Sequence, residues 1–363
     1  MVIDGLSPTR TERPANAEDL ARLLAEADAA GHAVVPVGGG RALGLGEPLR
    51  RWDVALSSAG LDRVIEASGA DMTLTVEAGA TLEQVDEALR PLGQHLPVDP
   101  QGGPGHTIGG VLASGLYGPL RQRYGGPRDF LIGLRVALPD GRLVASGGRV
   151  VKNVSGYDLQ KLHLGALGSL GVIVAASFKV FPRPHQELEL LTTAPDPWAE
   201  VDRALTLAER PQALEIDSGG SVRARLGGSG GSVARLSREL GWEEVEPAGW
   251  AGATEGEPVL ARIAVPARHL RTLLSGLPEG SRWWAWPGIG IAHWSGAPGA
   301  AVVAEVREAA EAAGGSLVLI EAPTELRAAV GAFGSAPPTL EWMRKLRDAF
   351  DPRRTISPGR FLV

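Results

Sequence analysis

Glycine constrains this chain more than any other residue, because some of its 49 glycines gather into three dense clusters in the first half. The first cluster is Pro36-Val37-Gly38-Gly39-Gly40-Arg41. The second runs Gly102-Gly103-Pro104-Gly105-His106-Thr107-Ile108-Gly109-Gly110-Val111-Leu112-Ala113-Ser114-Gly115. The third is Gly165-Ala166-Leu167-Gly168-Ser169-Leu170-Gly171-Val172-Ile173. Backbone without Cβ atoms lets amide groups converge on an anion and reaches positive φ at no steric cost. Gly39 is read here as a position of close backbone approach and positive φ. A P-loop is excluded because no G-x-x-x-x-G-K-[ST] occurs, and no G-x-G-x-x-G opens a helix after the first strand. A fourth cluster, Gly227-Gly228-Ser229-Gly230-Gly231, also lacks the lysine and is read as a strand-to-helix connector.

What such loops hold is narrowed by composition. The chain has no cysteine, so disulfides, iron–sulfur ligation, thiol nucleophiles and a cysteinyl flavin link are all excluded. A net charge of -6 argues against a nucleic-acid or anionic-membrane surface. No uninterrupted apolar run approaches the roughly 20 residues of a membrane span. The polar stretch Met1–Pro14 has no apolar segment of a secretory signal, so a cytoplasmic location is expected, with the inner membrane face reached only through partners. At 363 residues, two domains are expected.

Pattern along the chain predicts helices at Ala17–Ala30 (Asn16 as N-cap, Gly31 as terminator), Leu82–Leu89 and near Gly109. It predicts strands at Ala33–Val37, Asp53–Leu56, Thr73–Ala78, Leu131–Leu138, Leu143–Ala145 and Val172–Val180, with Asp140-Gly141 turning a hairpin. From about Gln186 strands and helices alternate in two similar sets. Helices are predicted at Pro197–Glu209, Val233–Leu240, Ala267–Leu274 and Ala300–Ala313, with Glu243–Pro258 as a loose segment. This gives an α+β fold with an antiparallel sheet in its second part, and Leu340–Phe350 as a closing amphipathic helix. The domains expected are 1–185, 186–335 and a tail, 336–363, that returns to the first.

Gly38-Gly39-Gly40 after a strand, Val76-Glu77-Ala78-Gly79, Thr107-Ile108-Gly109-Gly110, and Tyr124-Gly125 with Arg128-Asp129 occur in one order. Leu138-Pro139-Asp140-Gly141, Lys152-Asn153, Gly156-Tyr157-Asp158 and Gly168-Ser169-Leu170-Gly171-Val172-Ile173 come next. Over about Pro14–Pro184 these motifs resemble the two-part FAD-binding domain of the vanillyl-alcohol oxidase flavoprotein family. The segment Met343–Arg347, Phe350-Asp351-Pro352 and Ser357-Pro358-Gly359-Arg360 resembles the end of its 2-hydroxy-acid oxidising branch, where asparagine is usual at the Ser357 position. Length, short cap and tail look most like the smaller flavin-binding subunits of glycolate oxidases.

The resemblance implies FAD as cofactor. Gly38, Gly39, Gly40 and Arg41 would offer donors to its pyrophosphate. Gly109, Gly110, Ser114 and Gly115 would lie along pyrophosphate and ribityl chain, with Thr107 and Ile108 beside them, and Val172 and Ile173 would meet the adenine side. Covalent members often carry a histidine in the first loop; Gly38–Ala42 has none, so non-covalent FAD is expected. His106 is either a contact to the flavin ring or a polar loop residue.

The second half lacks the H-x-G-D-G-N-x-H and G-E-H-G clusters of catalytic relatives. His293, in Gly288-Ile289-Gly290-Ile291-Ala292-His293-Trp294, and Arg282 are the remaining acid–base and carboxylate-binding candidates; a packed strand histidine is the other reading of His293. His269 and His293 have no metal-ligand spacing, and no metal is expected. Alternation puts Trp284 and Trp286 on one face of a strand and Trp283 on the other, as a flavin lid, core packing or a subunit interface. The resemblance implies an FAD-dependent oxidoreductase acting on glycolate or a related small 2-hydroxy acid, beside a second FAD-binding catalytic subunit and an iron–sulfur subunit. Two alternatives stay open: a self-sufficient dehydrogenase, and a non-catalytic assembly subunit with structural FAD.

Overall fold

The structure is a computed structural model that describes residues 1–149, 157–247, 250 and 257–363. The motif Lys152-Asn153 and Gly156 lie outside the described residues. Contacts divide the chain into two compact units. The first comprises Met1–Tyr117, Gly126–Pro182 and Ser335–Val363; the second comprises Gly118–Gly125 and Arg183–Gly334. Among the described residues no helix is long and apolar enough to cross a membrane.

The first unit carries two principal sheets besides the short antiparallel pair Gln94–His95 and Phe181–Pro182. In the smaller, β1 (Arg10–Glu12), β2 (Val34–Val37) and β3 (Val54–Ser57) run parallel in the order β1-β3-β2. Helix α1 (Ala17–Ala29) covers it, because Leu20, Ala21, Leu24 and Ala27 recur on one helical face and bury against Val34, Val54 and Leu56. Asn16 accepts the Asp19 amide at 2.8 Å as N-cap, and Gly31 turns out of the helix at φ 68°. The larger sheet is antiparallel. It contains β4 (Val64–Ser68), β5 (Thr73–Glu77), β6 (Leu131–Ala137), β7 (Leu143–Gly147) and β8 (Val172–Lys179), ordered β4-β5-β8-β6-β7. Helices α2 (Leu82–Leu89) and α3 (Ile108–Ser114) pack onto it through Val85, Leu89, Val111 and Leu112. Strand β4 escapes the sequence pattern because it is an edge: Ile65 and Glu66 are exposed, so little alternation survives.

The second unit is one eight-stranded antiparallel sheet. Its strands are β9 (Gln186–Thr193), β10 (Ala213–Asp217), β11 (Ser221–Gly228), β12 (Glu243–Val245), β13 (Val259–Ala264), β14 (Arg282–Trp286), β15 (Ile291–Gly296) and β16 (Ser316–Glu321). Its longer helices are α4 (Pro197–Thr206), α5 (Gly230–Leu240), α6 (Ala267–Ser275) and α7 (Ala300–Ala312), with short helices at Arg121–Tyr124 and Thr324–Val330. The order β12-β9-β11-β10-β14-β15-β13-β16 makes two βαββαβ halves of the same topology, joined where β10 meets β14 at Ile216↔Ala285 and Asp217↔Trp284. This internal repeat is the physical form of the two similar sets in the sequence. Helix α4 ends at Thr206, short of the expected Glu209, and β12 lies in the stretch expected to be loose. Ser229 caps α5 through the Ser232 amide, so the fourth glycine cluster is a connector.

One face of this sheet is apolar and packs on the helices. Leu214, Ile216, Ala261, Ile263, Ala292 and Trp294 meet Val201, Leu236, Leu270 and Val306. The opposite face is polar yet buried. It carries Glu189, bonded to Arg223 at 2.9 Å and Arg225 at 2.6 Å, together with Glu215, Trp284, Trp286 and His293.

Two buried histidines give the fold a pH dependence. Burial lowers His163, which lies edge-on to Phe350 in the first unit, from 6.5 to about 4. Burial, then the Arg262 charge, lowers His293 in the second to about 3. Both stay neutral in the folded state while the unfolded chain takes up protons below pH 6.5. Stability is therefore full above that value and falls as pH drops toward the folded pKa values. At pH 5 each histidine costs about 2 kcal/mol relative to neutral pH by proton linkage. Chemical denaturation at pH 7 and pH 5 should show this loss, and His163→Phe and His293→Phe should each remove their share; an unchanged midpoint would refute it.

Candidate cofactor-binding site

The site forms where β2 leaves the small sheet. Val37 is its last residue, and Gly38, Gly39 and Gly40 carry the chain across the N-terminal end of α3. A Cβ on Gly38 would stand 2.3 Å from Thr107 Oγ1, and one on Gly39 would stand 3.0 Å from the Gly105 carbonyl oxygen. Close approach therefore fixes both residues as glycine. Positive φ does not: it belongs to Gly40 (φ 75°), which corrects the expectation for Gly39. One hydroxyl holds the two loops together. Thr107 Oγ1 accepts the Gly110 amide at 3.2 Å and the Gly39 amide at 3.4 Å.

The second loop divides its amides between structure and site. Ile108 N–H donates to the Ala80 carbonyl at 2.9 Å and Gly109 N–H to the Ala78 carbonyl at 2.7 Å. Both groups are taken up by the turn that follows β5, and Gly109 is needed because a Cβ there would meet Ala78 Cβ at 2.9 Å. Gly115 ends α3 at φ 67°, against Gly165. Arg41 spans the loops, its Nη1 donating to the Gly102 carbonyl at 3.0 Å with the guanidinium lying over Gly105. His106 is buried and its Nε2 pairs with the Gln101 carbonyl at 2.7 Å. Burial, and secondarily the Arg41 charge, lowers its pKa against the raising effect of that bond.

Gly38, Gly39, Gly40, Arg41, Thr107, Gly110 and Ser114 thus line one cleft, and His106 lines it too. Ile108, Gly109 and Gly115 support it from behind. Val172 and Ile173 lie in β8, paired with Ala137 and Val136 inside the core. The tail supplies two lining residues missing from the expected set, Ser357 and Arg360. Ser357 sits at φ 46° and its amide donates to the Val34 carbonyl at 2.8 Å, beside the strand that opens the cleft. Asparagine tolerates that left-handed backbone better than serine, which gives the asparagine usual there a physical cause. Arg360 pairs with buried Asp4 at 3.3 Å, and its carbonyl accepts the Glu47 amide at 3.0 Å. The signal for both was the Ser357-Pro358-Gly359-Arg360 motif.

A cradle of backbone amides that excludes side chains fits a pyrophosphate, so the residues present suit FAD. Gly38, Gly39, Gly40 and Arg41 would hold the phosphates, and bound FAD supplies the two-electron chemistry. The cleft offers neither cysteine nor a first-loop histidine for attachment. Acid denaturation should therefore release the yellow colour into the supernatant, and colour retained in the pellet would show a covalent bond.

The second unit gathers a different set of groups. His293 lies in β15 directly across from Trp284 and from Arg262 on its other side. Trp284 stacks on its ring at 5.4 Å and 11°, and Trp286 meets it at 4.7 Å and 61°. Trp286 Nε1 donates to Glu215 at 3.0 Å. Trp283 points to the other face, into the helix-covered core, as alternation predicts. Arg282 and His293 are not side by side: Arg282 is opposite Ser295, is half-exposed and lies 3.7 Å from Glu257. Among the described residues, Trp284 Nε1, His293 Nδ1 and Ser295 Oγ are buried polar atoms without hydrogen-bond partners, all on this one face. Arg262, absent from the expected set, was hidden because a lone arginine in an apolar strand carries no motif.

An FAD binding domain family matches residues 8–147. The glycolate oxidase subunit GlcE of Escherichia coli is 30% identical over 311 residues, covering 82% of this chain and 84% of that protein. A D-2-hydroxyglutarate dehydrogenase of Xanthomonas citri is 33% identical over 212 residues, 58% of this chain but 45% of its own length. The glycolate oxidase subunit GlcD of Bacillus subtilis is 30% identical over 184 residues, 51% of this chain and 39% of that protein. Among solved structures, alkyldihydroxyacetonephosphate synthase matches with a TM-score of 0.67 at 17% identity, over 96% of this chain and 76% of its own. That likeness speaks for the fold alone. With the cradle, the matched FAD domain and a relative aligned along most of both chains, this protein belongs to the FAD-dependent oxidoreductase family that includes the glycolate oxidase subunit GlcE.

Proposed function

We propose that this chain is the FAD-binding subunit of a glycolate oxidase-like complex, oxidising a small 2-hydroxy acid and passing electrons to a partner subunit. The observation that carries this is the similarity to a glycolate oxidase subunit across 82% of the chain, through both units. Within the second unit the polar sheet face is the proposed substrate-facing surface. A 2-hydroxy acid brings a carboxylate and a hydroxyl. Arg262 and Arg282 lie on that face for the carboxylate. His293 Nδ1 and Ser295 Oγ offer unmet hydrogen-bonding capacity that a hydroxyl would satisfy.

His293 is poorly set to act as a full base. At a pKa of about 3 it accepts a hydrogen bond at neutral pH, but holding a proton costs about 5 kcal/mol more than for an ordinary histidine. The chain thus positions a hydroxyl better than it deprotonates one. Its lack of cysteine means that electrons leaving through iron–sulfur centres need another chain. The proposal places the protein in the cytoplasm, reaching the inner membrane face only through partners.

Anaerobic addition of glycolate or D-lactate, with the flavin absorbance followed in the purified protein, tests the reading. Slow bleaching that accelerates when partner subunits are added supports it. Fast bleaching by the chain alone would identify a self-sufficient dehydrogenase. No bleaching in any combination would leave FAD as a structural element of an assembly subunit.

A further inference from the structure

The two halves of the second unit differ in one place where their common topology makes them comparable. In the first half the groove between α4 and α5 is filled from within. Trp242, directly after α5, is buried there and donates its indole N–H to Glu200 at 2.7 Å. Arg203 lies over the indole, 5.9 Å from its centroid, and donates to the Glu239 carbonyl at 2.9 Å and the Leu240 carbonyl at 2.8 Å. Aligning the halves on their buried helix residues, Val201 with Leu270 and Val233, Leu236 and Leu240 with Val303, Val306 and Ala310, identifies the counterparts. Glu200 and Arg203 become His269 and Thr272. The end of α5 with Trp242 becomes Ala309 and the small run Ala312-Ala313-Gly314-Gly315.

Loss of an indole and a guanidinium leaves space. The groove between α6 and α7 holds a cavity of about 440 Å³. Leu273, Leu277, Val302, Val306 and Ala313 form its apolar walls, His269 and Thr272 add polar groups at them, and among the described residues Glu305 is the one carboxylate there. We propose that this groove is a binding site for a planar heteroaromatic ligand bearing a ring N–H, an indole-type molecule. The protein's first half already shows what chemistry fills such a space: a flat ring between the two helices, with its N–H directed at a carboxylate. In the second half Glu305 replaces Glu200 as acceptor, contributed by the opposite helix. The apolar walls select shape, and the one carboxylate among the lining groups directs the ring N–H. The site lies wholly within the second unit and does not depend on the flavin or on the proposed reaction.

The test uses the full, flavin-loaded chain and ligand-observed saturation-transfer NMR with titration. Indole is expected to bind saturably and about tenfold more tightly than benzothiophene, its near-isostere without the N–H, as a hydrogen bond to a charged group implies. Ala309→Trp, at an exposed helix position, should supply the missing plug and abolish indole binding. Glu305→Leu should retain binding but equalise the two ligands. Failure of indole to saturate at millimolar concentration, undiminished binding by A309W, or a preference that survives E305L would each overturn the proposal.

Discussion

Gly38→Val is expected to give a folded protein that purifies colourless. A Cβ at this position would stand 2.3 Å from Thr107 Oγ1, so even alanine must displace the hydroxyl that bonds both glycine loops. Valine adds two methyl groups in the space where backbone amides are to approach a phosphate. The loop and Thr107 then separate, and the cradle loses its close approach and its shape together. The hydrophobic cores lie elsewhere, in Leu20, Leu24 and Val54 behind the small sheet and in Leu74, Val111 and Phe178 on the large one. The expected result is FAD content below a tenth of wild type, with a far-ultraviolet circular dichroism spectrum close to the parent's. A variant that keeps full flavin occupancy would show that Gly38 is only a turn residue. Gly103→Ala is the control: nothing lies within 4 Å of a Cβ there, though its φ of 79° carries some backbone strain.

The contrast between Gly38 and Gly40 shows what a sequence does and does not make legible. Three consecutive glycines mark a loop with unusual backbone requirements, and its position directly after Val34–Val37 marks that loop as a site. Which glycine is required by close approach and which by positive φ depends on Thr107 and Gly105, about 70 residues away in sequence, so only the folded chain separates them. Helices α1 and α2 were legible because capping and amphipathic spacing are local. Strands β4 and β12 were not, since an edge strand three to five residues long buries too little to write a pattern. The polar sheet face fell between these cases. Alternation placed Trp284 and Trp286 together correctly, and the pairing of Arg262 with His293 came from register between strands far apart in sequence.

That register underlies the second large effect expected: glycolate-dependent dye reduction by this chain alone should be slower by about 100-fold or more than in the presence of its partner subunits, the scale of a missing general base. Removing the substrate's hydroxyl proton requires a group that will hold it. His293 is the only histidine on the polar face among the described residues, and burial between Trp284 and Trp286 beside the Arg262 charge keeps it at about 3. Raising that value requires a carboxylate or solvent to reach the ring. Glu215 is the acid bonded to a ring that touches His293, and it already accepts from Trp286. A partner that presents its own base, or brings an acid toward His293, would supply what is missing, and the rate should then rise with partner concentration to saturation. His293→Asn separates these two routes. If the partner contributes the base, the variant should keep most of the complex's rate; if the partner activates His293, the variant should fall to the rate of the isolated chain. Equal rates with and without partners would show that the chain is a complete enzyme, and that its buried histidine is rescued by the substrate itself.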